Sequence, residues 1–184
     1  MKHSQTSIDE KVLREVYKDE NGVKLFEYKP SLLFPYYCNM EPMSFVRRIR
    51  LLEEFLRKGS YRVYYLAVDN TLVGYNLISP GGRRLSFSTA KDIVSGPTYI
   101  DPQYRNRGYN GLMQKLSYTC YEQDFDYIYV WIEKKNVAST KSYLKIGFEK
   151  VGEISFFGLR RKMIPTENGT SVVYRLLNPK KSRG

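Results

Sequence analysis

Residues 61–79 read YRVYYLAVDNTLVGYNLIS: two runs rich in aromatic, β-branched and aliphatic residues, with a turn expected at NT (70–71). Two such runs so close together can pair only as an antiparallel hairpin, which sets the direction of everything added to it. The next strand-like run, KDIVSGPTYI (91–100), carries Gly96-Pro97 in its middle. Proline has no N–H to give a ladder, and a strand glycine marks a bulge or a close approach of backbones. This third strand is therefore expected to leave its ladder partway.

Strand and helix periods alternate through the rest of the chain. Residues 11–29 suggest two short strands around DENG (19–22). Residues 44–58, SFVRRIRLLEEFLRK, place Phe45, Ile49, Leu52 and Leu56 at helical spacing, with Ser44 and Gly59 as cap and stop. A helix is expected after Gly108, a strand at 127–134, a short helix from Asn136 to Gly147, and closing strands at 149–161 and 170–177. Asn168 and Gly169 are expected to form the last hairpin turn. From residue 44 the order is helix, three strands, helix, strand, helix, two strands. That mixture predicts an α+β fold with a central mixed β-sheet flanked by helices. The length suits one domain over 1–184, with mobile ends at 1–10 and 179–184.

The sole histidine is His3, in the segment expected to be mobile. Histidine triads, His-ligated zinc and His acid–base catalysis are therefore not expected, and no metal is. Cys38 and Cys120 lack metal-ligand spacing and read as buried free thiols. No apolar run approaches a membrane span, and the N-terminus lacks an apolar signal region, so a cytoplasmic protein is expected. The net charge of +11 favours an anionic partner: nucleic acid, an anionic membrane or a phosphorylated small molecule.

The loop YRNRGYNG (104–111) narrows the choice. It follows a strand and feeds an amphipathic run, LMQKLSYTCYEQ. Unpaired N–H groups and the dipole at a helix start attract anions, Gly108 and Gly111 let a phosphate approach the backbone, and Arg105 and Arg107 add charge. It is neither a Walker loop nor a dinucleotide fingerprint. A basic glycine turn that merely caps a helix is the plain alternative.

One strand later comes NVASTKSYLKIGF (136–148), with Asn136 and Tyr143 about two helical turns apart, able to face one site. Taken with PQYRNRGYNG, this segment resembles the GNAT superfamily of acyl-CoA-dependent N-acyltransferases over roughly residues 61–160. The loop departs from the family pattern at Asn110, where a small residue is usual; Gly111 follows. The stretch GPTYIDPQYRNRGY also resembles GNAT proteins encoded with surface-glycan enzymes, which hints at an amino-sugar acceptor.

The resemblance implies acetyl-CoA as the acyl donor and a splayed strand pair that admits its pantetheine arm. Backbone groups of Tyr99 and Ile100 would pair with that arm, and a backbone N–H there would polarise the thioester. Residues Arg105, Asn106, Arg107, Gly108, Tyr109, Asn110 and Gly111 would hold the pyrophosphate. Asn136 would contact the pantetheine or a bridging water, and Tyr143 would protonate the departing thiolate. Asp92 and Glu133 are the carboxylates to consider as general base, and each also reads as a surface charge at a strand end. Tyr99 and Trp131 read equally as acceptor-pocket wall or as core.

The expected partner is a small-molecule primary amine, such as a nucleotide-linked amino sugar. Nucleic acid is disfavoured because the basic residues are spread over several segments and no RNA-binding motif stands out. A protein or peptide amine, a non-catalytic coenzyme A- or nucleic-acid-binding module, and a homodimer stand as alternatives.

Overall fold

The computed structural model describes residues 8–38, 40, 52, 56, 61–82, 85–157 and 162–181. The chain divides into two compact units. One comprises Met1–Ser79 with Gly96–Tyr121, the other Pro80–Ser95 with Glu122–Gly184.

The first unit is built on antiparallel strands β1 (Arg14–Lys18), β2 (Val23–Tyr28), β3 (Arg62–Val68) and β4 (Thr71–Pro80). Asp19 makes the first turn by accepting from the amides of Asn21 and Val23, with Gly22 at φ 77°. The hairpin between β3 and β4 closes on Asp69-Asn70, one residue earlier than the expected NT. Both central residues have positive φ, 49° and 59°, which gives the primed turn whose twist matches its flanking strands. Asp and Asn tolerate that conformation, whereas the β-branched Thr71 does not, so Thr71 begins the strand.

Alternation sorts the side chains of these strands. Val63, Tyr65 and Ala67 join Phe26, Tyr28, Tyr75 and Leu77 in one apolar cluster. Helix α1 (Tyr109–Cys120) packs against β1, β2 and β3 through Met113, Gln114, Ser117 and Tyr118. Each fully buried apolar side chain contributes about 1.5–3 kcal/mol, and emptying one such position, as in Phe26→Ala, costs about 3–5 kcal/mol.

The second unit begins with the first residues of β5 (Ile93–Ile100). They pair in parallel with β6 (Tyr127–Glu133) at Ile93↔Ile128 and Val94↔Tyr129. The ladder described there stops at Val94, two residues before Gly96, whose φ of 116° departs from strand geometry, and Pro97, which cannot donate. On its other edge β6 pairs along its length with β9 (Ser171–Leu177). Strand β9 pairs with β7 (Glu149–Phe157), and β7 with β8 (Lys162–Pro165). Helix α2 spans Val137–Ile146. Leu85, Val94, Tyr129, Ile154, Met163 and Val173 form this unit's core.

The α+β fold with a mixed sheet is thus as expected, and its strands run β1-β2-β3-β4-β5-β6-β9-β7-β8. Its end differs from expectation. An additional strand, β8, occupies 162–165, and β9 lies between β6 and β7. Asn168 and Gly169 therefore link strands that are not neighbours and form no hairpin turn. Gly169 passes so close to Ile154 that a Cβ there would sit 2.4 Å from the Ile154 carbonyl oxygen. Residues 158–161, the end of the expected 149–161 strand, lie outside the described residues.

The helix expected at 44–58 also lies outside them, apart from Leu52 and Leu56. These are joined by one helical bond (3.0 Å), and both are exposed. Near the ends, Asp9 accepts from the amides of Val12 and Leu13, and Lys181 pairs with Asp124 and Asp126.

Candidate functional site

In the first unit, β4 and β5 meet closely before the glycine-rich loop. The Asp101 amide donates to the Val73 carbonyl at 2.9 Å, and Thr98 Oγ1 donates to the buried Asn76 Oδ1 at 2.9 Å. Gly74 makes this approach feasible. A Cβ there would lie 2.4 Å from Ile100 Cδ1 and 2.5 Å from the Tyr99 carbonyl oxygen. On the other face the Tyr99 ring stacks on Tyr75, centroids 6.0 Å apart and planes 23° apart.

The chain then turns through a short 3-10 helix, Pro102–Tyr104, capped by Asp101 accepting from the Gln103 amide. Arg105 folds back. Its Nε donates to the Ile100 carbonyl at 2.9 Å, and its guanidinium carbon lies 5.7 Å from the Tyr99 ring centre. Arg107 sits 5.7 Å from the Tyr104 ring centre, and the Tyr104 and Tyr109 rings are 6.5 Å apart. Both cations are thereby held beside the loop on aromatic faces.

Asn106 (φ 61°) and Gly108 (φ 80°) take left-handed conformations, and Gly108 is the N-cap of α1. No side chain caps this helix, and its first turn carries no acid. The first helical bond runs from Leu112 N to the Gly108 carbonyl, so the N–H groups of the first turn lie ahead of the ladder. The space beside the Gly108 Cα is open: a Cβ placed there would meet no heavy atom within 4 Å. An anion seat needs outward donors, a positive dipole end, nearby cations and room, and the loop from Arg105 to Gly111 supplies all four. A diphosphate fits these residues.

The departure at Asn110 is harmless to the backbone. Asn110 is the second residue of α1 and is helical; the left-handed positions are 106 and 108. Its Oδ1 accepts from Nε2 of the buried Gln114 at 3.2 Å.

In the second unit, Asn136 is the N-cap of α2, its Oδ1 accepting from the Ser139 amide at 3.1 Å. The amide Nδ2 is the group left to serve another acceptor. Tyr143 is buried and stands three residues before the last residue of the helix. The end of α2 explains the Gly-Phe that closes the segment. Gly147 (φ 106°) donates to Leu144, and Phe148 donates to the Tyr143 carbonyl, the paired bonds of a Schellman stop. The Phe148 ring then meets Tyr143 edge to face at 5.1 Å, which fixes the phenol's orientation.

The two carboxylates differ. Asp92 is buried and already accepts from the Thr89 amide (2.6 Å), Thr89 Oγ1 (2.9 Å) and the Tyr127 amide (3.1 Å), tying the 89–92 turn to the start of β6. Glu133 ends β6 exposed to solvent, paired with Lys135 at 3.1 Å. Trp131, also on β6, packs at the edge of the second core.

Within the first unit the structure thus brings together Tyr99, Ile100 and residues 105–111. Within the second, Glu133 and Asn136 are joined by an Asn136 N–Glu133 carbonyl bond. Sequence reasoning overlooked Gly74, Asn76 and Tyr75. Gly74, Tyr75 and Asn76 lie against Ile100, Tyr99 and Thr98, a meeting of distant segments that no local signal encodes.

Comparison with known proteins agrees with this geometry. The model of the acetyltransferase (GNAT) family matches residues 26–148, well over half of the chain. No curated protein matches by sequence. Among solved structures, an acetyltransferase from Thermus thermophilus superposes with a TM-score of 0.53 at 16% identity, covering 75% of this chain and 77% of that one. The spermidine N-acetyltransferase SpeG chimera from Vibrio cholerae and hSSAT gives 0.52 at 16% identity, covering 77% and 83%. The ribosomal-protein-S18-alanine N-acetyltransferase of Escherichia coli gives 0.51 at 10% identity, covering 76% and 79%. At such identities the likeness speaks for the fold. With the family model spanning both the loop at 104–111 and the segment at 136–148, the chain belongs to the acetyltransferase (GNAT) family and is an acyltransferase.

Proposed function

We propose that residues 1–184 act as one acetyltransferase domain that moves an acetyl group from acetyl-CoA to a primary amine of a small molecule, of the kind found in nucleotide-linked amino sugars. The observation that carries the donor half is the uncapped start of α1, with its acid-free first turn, open Gly108 and flanking Arg105 and Arg107. These features suit the pyrophosphate of coenzyme A, and the strand residues Tyr99 and Ile100 just before them suit its pantetheine arm. The acceptor half rests on the likeness of GPTYIDPQYRNRGY to GNAT proteins encoded with surface-glycan enzymes.

Chemically, the amine nitrogen attacks the thioester carbonyl carbon, its surplus proton goes to a base, and the C–S bond breaks. The leaving thiolate takes a proton. Tyr143 is our choice for that proton, with its phenol aimed by Phe148 and Asn136 contacting the arm through Nδ2. Of the two carboxylates, the base role falls to Glu133, directly or through water, because the oxygens of Asp92 are engaged in holding its turn.

The experiment is acetyl-CoA consumption, read as free thiol, across a panel of amines: nucleotide-linked amino sugars, free amino sugars, polyamines and peptide N-termini. Turnover with an amino sugar or other small amine supports the proposal. Turnover with peptide amines alone would replace it with a protein-directed activity.

A further inference from the structure

Helix α1 buries a carboxamide that packing alone does not call for. Gln114 is fully buried on the face that meets the sheet, beside Met113, Ser117 and Tyr118. A leucine would occupy that place without a polar group to satisfy. The two polar atoms of Gln114 fare differently. Nε2 donates to Asn110 Oδ1 at 3.2 Å, one turn back along the helix, whereas Oε1 meets no hydrogen-bond donor among the described residues. An unmet buried oxygen is destabilising, so the benefit of keeping a glutamine here has to lie at Asn110.

Asn110 is the second residue of α1 and is partly exposed, between the open Gly108 and Gly111. Near a helix start, an asparagine oxygen competes for the backbone N–H groups of the first turn. No side chain caps α1, and the Asn110 oxygen is turned to Gln114 instead. This has two consequences. The first-turn amides are kept for a ligand. The Asn110 carboxamide is also planar: with its oxygen directed along the helix to Gln114, its NH2 lies on the other side of Cγ. Helical side chains lean toward the N-terminus, so that NH2 is directed to the loop end.

We propose that Asn110 is a diphosphate-binding residue, donating through Nδ2 to a phosphate oxygen of coenzyme A, and that Gln114 is the residue that positions it. The inference rests on the coenzyme A reading of the α1 loop. It adds to the backbone amides and the two arginines a neutral side-chain donor, at the position where the loop departs from the family pattern.

The test is calorimetric titration of the full chain with acetyl-CoA, with thermal unfolding of each variant. Asn110→Ala is expected to bind about tenfold more weakly than the wild type, the loss of one hydrogen bond to a charged group. Asn110→Asp is expected to be weaker still, because the same Gln114 bond would hold a carboxylate against the phosphates. Gln114→Leu suits its apolar surroundings, so it should unfold no earlier than the wild type and yet bind about threefold or more weakly. In the Asn110→Ala background, Gln114→Leu should change affinity no further, a non-additivity that a purely structural glutamine would not show. Equal or tighter binding by Asn110→Ala would overturn the proposal and leave the loop as the coenzyme A seat. Strict additivity of the two substitutions would overturn the role of Gln114. A wild type that binds no acetyl-CoA would overturn the seat itself, and the proposal with it.

Discussion

Replacing Gly74 by alanine tests how tightly β4 and β5 must meet for the loop to form. Two effects oppose each other. Alanine in a strand gains about 0.5–1 kcal/mol over glycine through chain entropy. The new Cβ, however, would lie 2.4 Å from Ile100 Cδ1 and 2.5 Å from the Tyr99 carbonyl oxygen. A side-chain end can swing away, but a backbone carbonyl moves only with its strand, and such overpacking costs about 1–3 kcal/mol. The net expectation is a loss of about 1–2 kcal/mol, or roughly 2–8 °C in Tm for a chain of this size. Ile100→Val removes Cδ1 and so relieves one of the two clashes. In a double-mutant cycle the pair should be coupled by about 1 kcal/mol, with partial rescue because the carbonyl contact persists. Strand movement at Tyr99 and Ile100 also disturbs the carbonyl that anchors Arg105, so acetyl-CoA affinity should fall together with Tm. Chemical and thermal unfolding of the four proteins supplies the numbers. Unchanged stability in Gly74→Ala, or strict additivity with Ile100→Val, would refute the close-approach reasoning.

Asn136 lends itself to a split of roles. Asn136→Ala should cost about 1 kcal/mol by removing the cap of α2, whereas Asn136→Asp should keep the cap and the Tm but weaken acetyl-CoA binding, since Asp lacks the amide donor; unfolding and calorimetric titration check both. Tyr143→Phe should lower kcat about a hundredfold or more while leaving acetyl-CoA affinity nearly unchanged, and full turnover in that variant would remove the phenol as the acid. Glu153, flanked by Lys134 and Lys150, has its carboxyl pushed down to about 2. A depressed folded pKa gives stability that is present above the unfolded value near 4.5 and is lost as pH falls through about 2. The Tm difference between wild type and Glu153→Gln should therefore be full at neutral pH, shrink below about pH 4.5 and vanish near pH 2.

Local signals made much of this molecule legible. The hairpin at 61–79, the broken strand at Gly96-Pro97, and the cap and stop of α2 each follow from one or two residues with strong backbone preferences. The loop's charge and glycines were also visible, as was the segment that carries Asn136 and Tyr143. What escaped depends on partners distant in sequence. The clearance at Gly74 exists only because Ile100 crosses it, and Asp92 looks like a strand-end charge until Thr89 and Tyr127 close on its carboxylate. The place of β9 between β6 and β7 is likewise a long-range choice that alternation alone does not encode. Asn110 departs from the family motif, yet the left-handed backbone lies at Asn106 and Gly108, which likeness to a motif does not encode.

The most direct test of the central claim is thermal unfolding with and without acetyl-CoA, on the wild type and on Gly108→Ala. Gly108 has φ 80° and no packing neighbour at its Cβ position, so the substitution should cost only about 1–2 kcal/mol of backbone strain. It should nonetheless spoil the seat by placing a methyl group where phosphate would lie. Acetyl-CoA at a hundredfold its Kd should stabilise the wild type by about 2.7 kcal/mol, a rise of roughly 5–11 °C, and the variant far less. An unmoved wild-type Tm at saturating acetyl-CoA, or an equal rise in Gly108→Ala, would contradict the assignment of the α1 loop as the coenzyme A seat.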